Sequence, residues 1–321
     1  TNYHQFHVVS PPGFYKGFLK SVWRSVFLSG KIKKYNLDIF HGLSNELPSG
    51  IHKTSIPSVV TIHDLIFMRY PEFYKTADRK IYFRKVKYAC RSADKVIAIS
   101  RQTKNDVETF FKVPPEKISI IYQPVAATFF NKQDTSKILK KYNLYDNYIL
   151  AVGTLESRKN QLTLLRAIQY SGIEIPVVFV GKPTSYYSEL KKFITEKDMG
   201  RQVYFLSGLP EKDLAALYQN AIISVYISVF EGFGLPVIES MASGCPVITS
   251  SVSCLPETAG DAAVLCDPTN VEAIGKKLTF LLENETYRKK MIHNGIERAK
   301  DFHPEFYAKN LMSLYTNLLK R

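Results

Sequence analysis

The chain has 321 residues, of which 45% are hydrophobic and 22% charged; that balance excludes a disordered or fibrous chain and suits a globular protein able to bury a core. At this length a single core stops growing, so two domains are expected. A net charge of +14 admits an anionic partner, whether nucleic acid, a phosphorylated substrate or an acidic membrane face, and does not choose among them.

No stretch reaches the roughly 18 consecutive apolar residues of a spanning helix, and the opening TNYHQFHVVSPPG has neither the charged start nor the apolar run of a signal peptide. The expectation is a cytoplasmic protein, with the inner face of a membrane as its second location. Cys90, Cys245, Cys254 and Cys266 form no C-x-x-C pair and have no histidine at metal-ligand spacing, so they read as reduced, mostly buried side chains.

In chain order, an irregular opening gives way to a first strand-like run, LDIF, only at Leu37. A doubly wound domain usually opens with a strand and a glycine turn, so the first domain reads as lacking its opening strand. The run SVVTI (Ser58 to Ile62) then leads directly to His63 and Asp64. Between Arg79 and Arg91, Ile81, Phe83, Val86 and Ala89 or Cys90 recur at helical spacing and leave Arg79, Lys80, Arg84, Lys87 and Arg91 outward. A solvated basic face is the first reading of that helix, contact with an anionic membrane the second and nucleic acid the third; no nucleic-acid partner is expected.

KVIAI (Lys95 to Ile99) ends at Ser100, which caps a following helix, and KISII (Lys117 to Ile121) precedes a polar stretch that breaks the alternation. A boundary near Phe129 divides a domain of residues 1–129 from one of 130–302, with the final helix, 303–321, returning to the first. The second domain offers YILAV, PVVFV followed by Gly181, IISVYI and PVITS. Continuous apolar runs of this kind suit parallel strands covered on both faces by helices, and no repeat of fixed period suggests a solenoid.

Two segments of the second domain carry chemistry. In FEGFGLPVIES, a buried strand leads to Glu231, Gly232 and Gly234 let the backbone approach a ligand, and Pro236 suits a helix start. The N–H groups of Phe233, Gly234 and Leu235 would then face an anion ahead of the helix, and Glu239 lies on the face away from the core. By itself an ordinary strand-to-helix loop explains this segment equally well. In VGTLESRKNQ, Gly153 and Thr154 end a strand, and Arg158 and Lys159 stand just before a helix that Asn160 could cap, at the sheet edge where open α/β sheets bind ligands.

Together these residues resemble the retaining glycosyltransferases of family 4 (group 1), bacterial mannosyltransferases among them, whose signature is two glutamates separated by seven residues around GFGxP; Glu231 and Glu239 fit it. The resemblance implies an α/β GT-B fold, two Rossmann-like doubly wound domains facing a cleft. It implies a hexose, mannose first, moved from a nucleotide diphosphate sugar to a saccharide or lipid-linked saccharide in surface polysaccharide synthesis.

By the same resemblance Lys159 neutralises the donor diphosphate. The family's earlier arginine position is Thr154 here, with Arg158 beside the lysine instead. Glu231 would hold the sugar, Glu239 the ribose, and His63 a sugar hydroxyl. Ser100 would lie near the phosphates, and Gly181, with Tyr204 to Gly208, near the base. Glu46, in GLSNELP, and Asp64 are candidates on the acceptor side. No two aspartates are spaced D-x-D, and the basic loop can balance the leaving charge, so neither metal nor cofactor is expected. The alternatives are a non-catalytic nucleotide-sugar binding or scaffolding protein on the same fold and a sugar phosphorylase; an oxidoreductase would need G-x-G-x-x-G after a strand, which EGFGLP is not.

Overall fold

The computed structural model describes residues 8–13 and 22–320; the opening residues 1–7, read from sequence as irregular, lie outside them. The chain forms two compact units. One comprises Thr1–Ala98, Lys104–Ile120 and Ser313–Arg321, the other Ile99–Thr103 and Ile121–Met312.

The first unit holds strands β1 (Phe40–Gly42), β2 (Ser58–Ile62), β3 (Lys95–Ala98) and β4 (Ile118–Ile120), all parallel and in chain order across the sheet. Among the described residues the first strand thus falls at Phe40, where LDIF ends, rather than at Leu37. β2 is buried along its whole length, because its β-branched side chains are covered on both faces. Helix α1 (Thr76–Ser92) packs Val86, Ala89 and Cys90 against Ile62, Leu65 and Phe67 in one apolar cluster; full burial of such side chains is worth about 1.5–3 kcal/mol each. Ile81, expected on the buried face, is 45% exposed: it stands in the first half of the helix, whose buried residues, Val86, Ala89 and Cys90, all lie in the second.

The second unit is a six-stranded parallel sheet in the order β10-β9-β8-β5-β6-β7. Its strands are β5 (Ile149–Val152), β6 (Val177–Val180), β7 (Val203–Leu206), β8 (Ile223–Tyr226), β9 (Val247–Ser250) and β10 (Val264–Cys266). Alternate residues feed opposite layers: Leu150 and Val178 enter one apolar cluster, Ile149, Val177 and Phe179 the other. This is why the strands read as unbroken apolar runs. β7, an edge strand with three half-buried residues, and the short β10 lacked that signal and were not legible as strands. The cysteines are all free and buried.

Helices α2 (Gln161–Tyr170), α3 (Glu211–Asn220) and α4 (Leu235–Ala242) follow β5, β7 and β8. The chain runs from β5 outward to β6 and β7, then returns to β8 on the other side of β5. The order reverses there, and the carboxyl ends of β5 and β8 form the crevice where sheets of this class receive ligands.

The last helix, α5 (Pro304–Leu319), buries Leu318 but leaves Phe306 52% exposed, so its apolar side chains are covered only toward its end. There Tyr315 meets His41 of β1, oxygen to Nδ1 at 2.5 Å, while Nε2 of the same ring reaches Thr61 at 2.8 Å. Burial lowers the His41 pKa to about 4, so the ring bridges strand and helix as a neutral group. Among the described residues no helix is long and apolar enough to cross a membrane.

Candidate active site

At the reversal point the loop after β5 and the loop after β8 lie against each other, and the end of β6 crowds that of β5. Gly181, which ends β6, faces the backbone of Gly153, which ends β5; a Cβ on Gly181 would stand 1.9 Å from the Gly153 carbonyl oxygen. Backbone pairing runs on past the strand ends, with Gly153 N–H donating to Val180 O between β5 and β6 and Gly181 N–H to Leu206 O between β6 and β7. Gly181, expected beside a nucleotide base, is required by this contact whatever it binds.

The basic loop is drawn across to β8. Val229 N–H donates to the Arg158 carbonyl at 2.9 Å, and the Asn160 side-chain amide donates to Ile227 O at 3.1 Å and to Pro268 O at 2.7 Å. Asn160 was expected to cap α2. It instead takes a left-handed backbone, φ 62°, with no side-chain cap bond, and its amide ties the loop to β8.

Three charged side chains converge here. Lys159 Nζ and Arg158 Nη1 lie 2.6 and 2.7 Å from the same Glu231 oxygen, and Arg158 Nη2 lies 2.6 Å from Glu156. Arg158 also donates to the Phe230 carbonyl. Burial by itself would raise the Glu231 pKa, but Lys159 and Arg158 outweigh it and hold the carboxyl below its ordinary value. Burial lowers the Lys159 pKa, opposed by Glu231, while Glu231 and Glu156 raise that of Arg158 against its burial. Tyr226, the last residue of β8, was not singled out from sequence, where it is one more apolar residue in IISVYI. Its oxygen accepts from Lys159 Nζ at 2.6 Å, and its ring lies 4.9 Å from the same ammonium.

The glycine turn follows. Gly234 caps α4 at φ 94°, and a Cβ there would stand 2.5 Å from Leu255 Cδ2, so both conformation and space demand glycine. Among the described residues the N–H groups of Phe233, Gly234 and Leu235 find no acceptor, leaving a helix N-terminus open to an anion. The Phe233 side chain is core, stacked on Tyr122 at 5.8 Å. Ser100 is fully buried; its hydroxyl donates to the Gly232 carbonyl at 2.7 Å and accepts from Thr103 N–H. It therefore holds the turn rather than presenting its oxygen to the surface. The Thr154 carbonyl accepts from Gln161.

Glu239, on α4, accepts from Tyr218 at 3.1 Å, and burial raises its pKa from 4.5 to about 7. Between those two values the folded protein keeps a proton that the unfolded chain releases, so this group makes stability fall as pH rises through the window. Its expected share is up to about 3 kcal/mol. Urea titrations at pH 5 and pH 8 should show that slope in the wild type and its reduction in Glu239→Gln; equal slopes would assign it elsewhere.

In the first unit, His63 follows β2, its backbone N–H donating to Asn45 and its Nε2 lying 2.8 Å from Leu43 O. Asp64 accepts from Ile66 N–H. Glu46 accepts from Ser25 at 2.6 Å and pairs with Lys85 and Arg24 at 3.1 and 3.3 Å. Burial pulls its pKa up, but Ser25, Lys85 and Arg24 bring it below the ordinary value. Asn45, Glu46, Asp64, Tyr74, Tyr82 and Lys85 line a cavity of about 400 Å³, so the sheet end brings Glu46 and Asp64 together. Among the described residues no cluster of three metal-ligating side chains occurs.

The fold and this crevice define a parallel α/β protein with a buried charge cluster at its topological switch point. The family model "Glycosyl transferases group 1" matches residues 131–298, and "Glycosyltransferase Family 4" matches residues 1–129. The chain belongs to the group 1 glycosyltransferases. It is 30% identical to O-antigen chain mannosyltransferase B of Escherichia coli, over 84% of this chain and 72% of that one. Among solved structures, sucrose-phosphate synthase of Thermosynechococcus elongatus superposes with a TM-score of 0.78 at 23% identity, covering 91% of this chain and 76% of the other. Anabaena HepE in complex with UDP and glucose gives 0.76 at 18%, covering 91% and 80%. The two parallel-sheet units are thus those of the GT-B fold.

Proposed function

We propose that the chain transfers a hexose, mannose first, from a nucleoside diphosphate sugar to a saccharide or lipid-linked saccharide of a surface polysaccharide, with retention of configuration. The observation that carries this reading is the meeting of Arg158, Lys159 and Glu231 beside the open N-terminus of α4 at the reversal point. A departing diphosphate needs cations and oriented N–H groups where its charge grows, and both stand there before any ligand arrives. Lys159 and Arg158 take the diphosphate, with Gly153, Thr154 and the amides of Phe233 to Leu235 around it. Glu231 takes sugar hydroxyls, and Glu239 the ribose. His63 donates to a hydroxyl of the transferred sugar, and Glu46 and Asp64 serve the acceptor. The mannose preference is supported by the mannosyltransferase relative.

The basic face of α1, with Arg79, Lys80 and Arg84 beside exposed Ile81 and Tyr82, supports contact with an anionic membrane surface. Co-sedimentation with phosphatidylglycerol vesicles, lost in the Arg79, Lys80 and Arg84 triple glutamine variant, would establish it.

The function is tested by incubating GDP-mannose, UDP-glucose and ADP-glucose with lipid-linked saccharide acceptors. GDP-mannose is expected to turn over best, with the anomeric configuration of the product unchanged, and Lys159→Ala to reduce turnover at least about 10²-fold. An inverted product removes the retaining mechanism. Nucleotide-sugar binding without transfer to any acceptor favours a non-catalytic role instead.

A further inference from the structure

We propose that Tyr226 is a positioning residue, holding the Lys159 ammonium in place for the donor diphosphate. The inference rests on the donor-site reading above and concerns what keeps that lysine in place when Glu231 engages a ligand.

Lysine carries its charge on a flexible stem, so a site that uses one must restrain it. Among the described residues Lys159 Nζ has two polar partners, Glu231 Oε1 and Tyr226 oxygen, each at 2.6 Å. The ammonium also lies 4.9 Å from the Tyr226 ring centroid. The ring, 5% exposed, ends a buried strand, so its position is fixed by the sheet, whereas Glu231 sits in the loop that follows. Burial, together with the Glu231 carboxylate nearby, raises the pKa of the phenol and keeps it protonated. Tyr226 is therefore a neutral, sheet-anchored group that shares the Lys159 ammonium with Glu231.

The charges that face one another here are Lys159 and Arg158 against Glu231 and Glu156. In the proposed reaction Glu231 turns to the hydroxyls of the sugar, and its hold on Lys159 weakens when the diphosphate charge begins to grow. Tyr226 keeps its hold, and the third ammonium hydrogen is left for a phosphate oxygen. The hydroxyl acts most where charge is greatest, so its loss should fall on kcat more than on KM.

The test compares Tyr226→Phe with Tyr148→Phe. Tyr148 is likewise buried in this unit, but its hydroxyl donates to the Leu217 carbonyl, so its variant reports the loss of a buried phenol with no lysine involved. For Tyr226→Phe, kcat is expected to fall about tenfold, with KM changed less than threefold. The alkaline limb of the kcat profile should move to lower pH, since an acceptor that favours the ammonium is gone. Tyr148→Phe should lose melting temperature without either change. A Tyr226→Phe enzyme with wild-type kcat and alkaline limb overturns the proposal, as does an equal kcat loss in Tyr148→Phe. Calorimetric titration with GDP, UDP and ADP separates the two levels: a wild type that binds none of them overturns the donor-site reading, and this proposal with it.

Discussion

Glu231→Ala is expected to lower stability by about 3–5 kcal/mol and to reduce glycosyl transfer by more than about 10³-fold. The carboxylate is 7% exposed, and it is the shared counter-charge of Arg158 and Lys159. Removing one member of a buried ion pair leaves the others desolvated and uncompensated, which costs far more than the pair itself contributes. Lys159 loses its ion-pair partner outright, and Arg158 keeps only Glu156. Glu231→Gln keeps an acceptor in place and should recover part of the stability but little of the transfer. Urea unfolding and initial rates measure both quantities; an alanine variant within about 1 kcal/mol of wild type would show that water already screens the cluster.

Gly181→Ala is expected to be nearly as severe without touching a charged group. The added methyl would stand 1.9 Å from the Gly153 carbonyl oxygen and 2.6 Å from its carbon. Both are backbone, so no side-chain rotation relieves the clash, and the end of β5 or β6 must move. The cost should be about 3 kcal/mol or more, and because Gly153 leads into the loop of Arg158 and Lys159, transfer should fall with it. Gly200→Ala is the control. Nothing lies within 4 Å of its added methyl, so stability should stay level or rise by a few tenths of a kcal/mol. A Gly181→Ala protein that melts with wild type would mean that the strand ends separate freely.

Much of the second unit was legible in the sequence because its strands are covered on both faces and therefore spell continuous apolar runs. The edge strand Val203–Leu206 and the three-residue Val264–Cys266 escaped because half-burial and brevity remove that signal. Glu231 and Glu239 stood out by their spacing around GFGLP, which an ordinary loop explains equally well, and Arg158 and Lys159 by their place between a strand and a helix; the family resemblance was needed to join them in one site. Asn160 was misread because the residue type that caps helices through its side chain also tolerates a left-handed backbone, and only the position of Ile227 O and Pro268 O decides which.

The sequence by itself determined the alternation of strands and helices, the turn at Gly232 to Gly234 with its helix start, and the presence of a basic loop after a strand. Those are local properties, set by side-chain branching, proline and glycine within a few residues. Only the tertiary structure decided that Lys159 and Glu231 form one charge cluster, that Tyr226 anchors it, and that Gly181 is glycine because of Gly153. Those pairs are separated by many residues, and the order of strands in the sheet, which no local pattern encodes, is what brings them into contact.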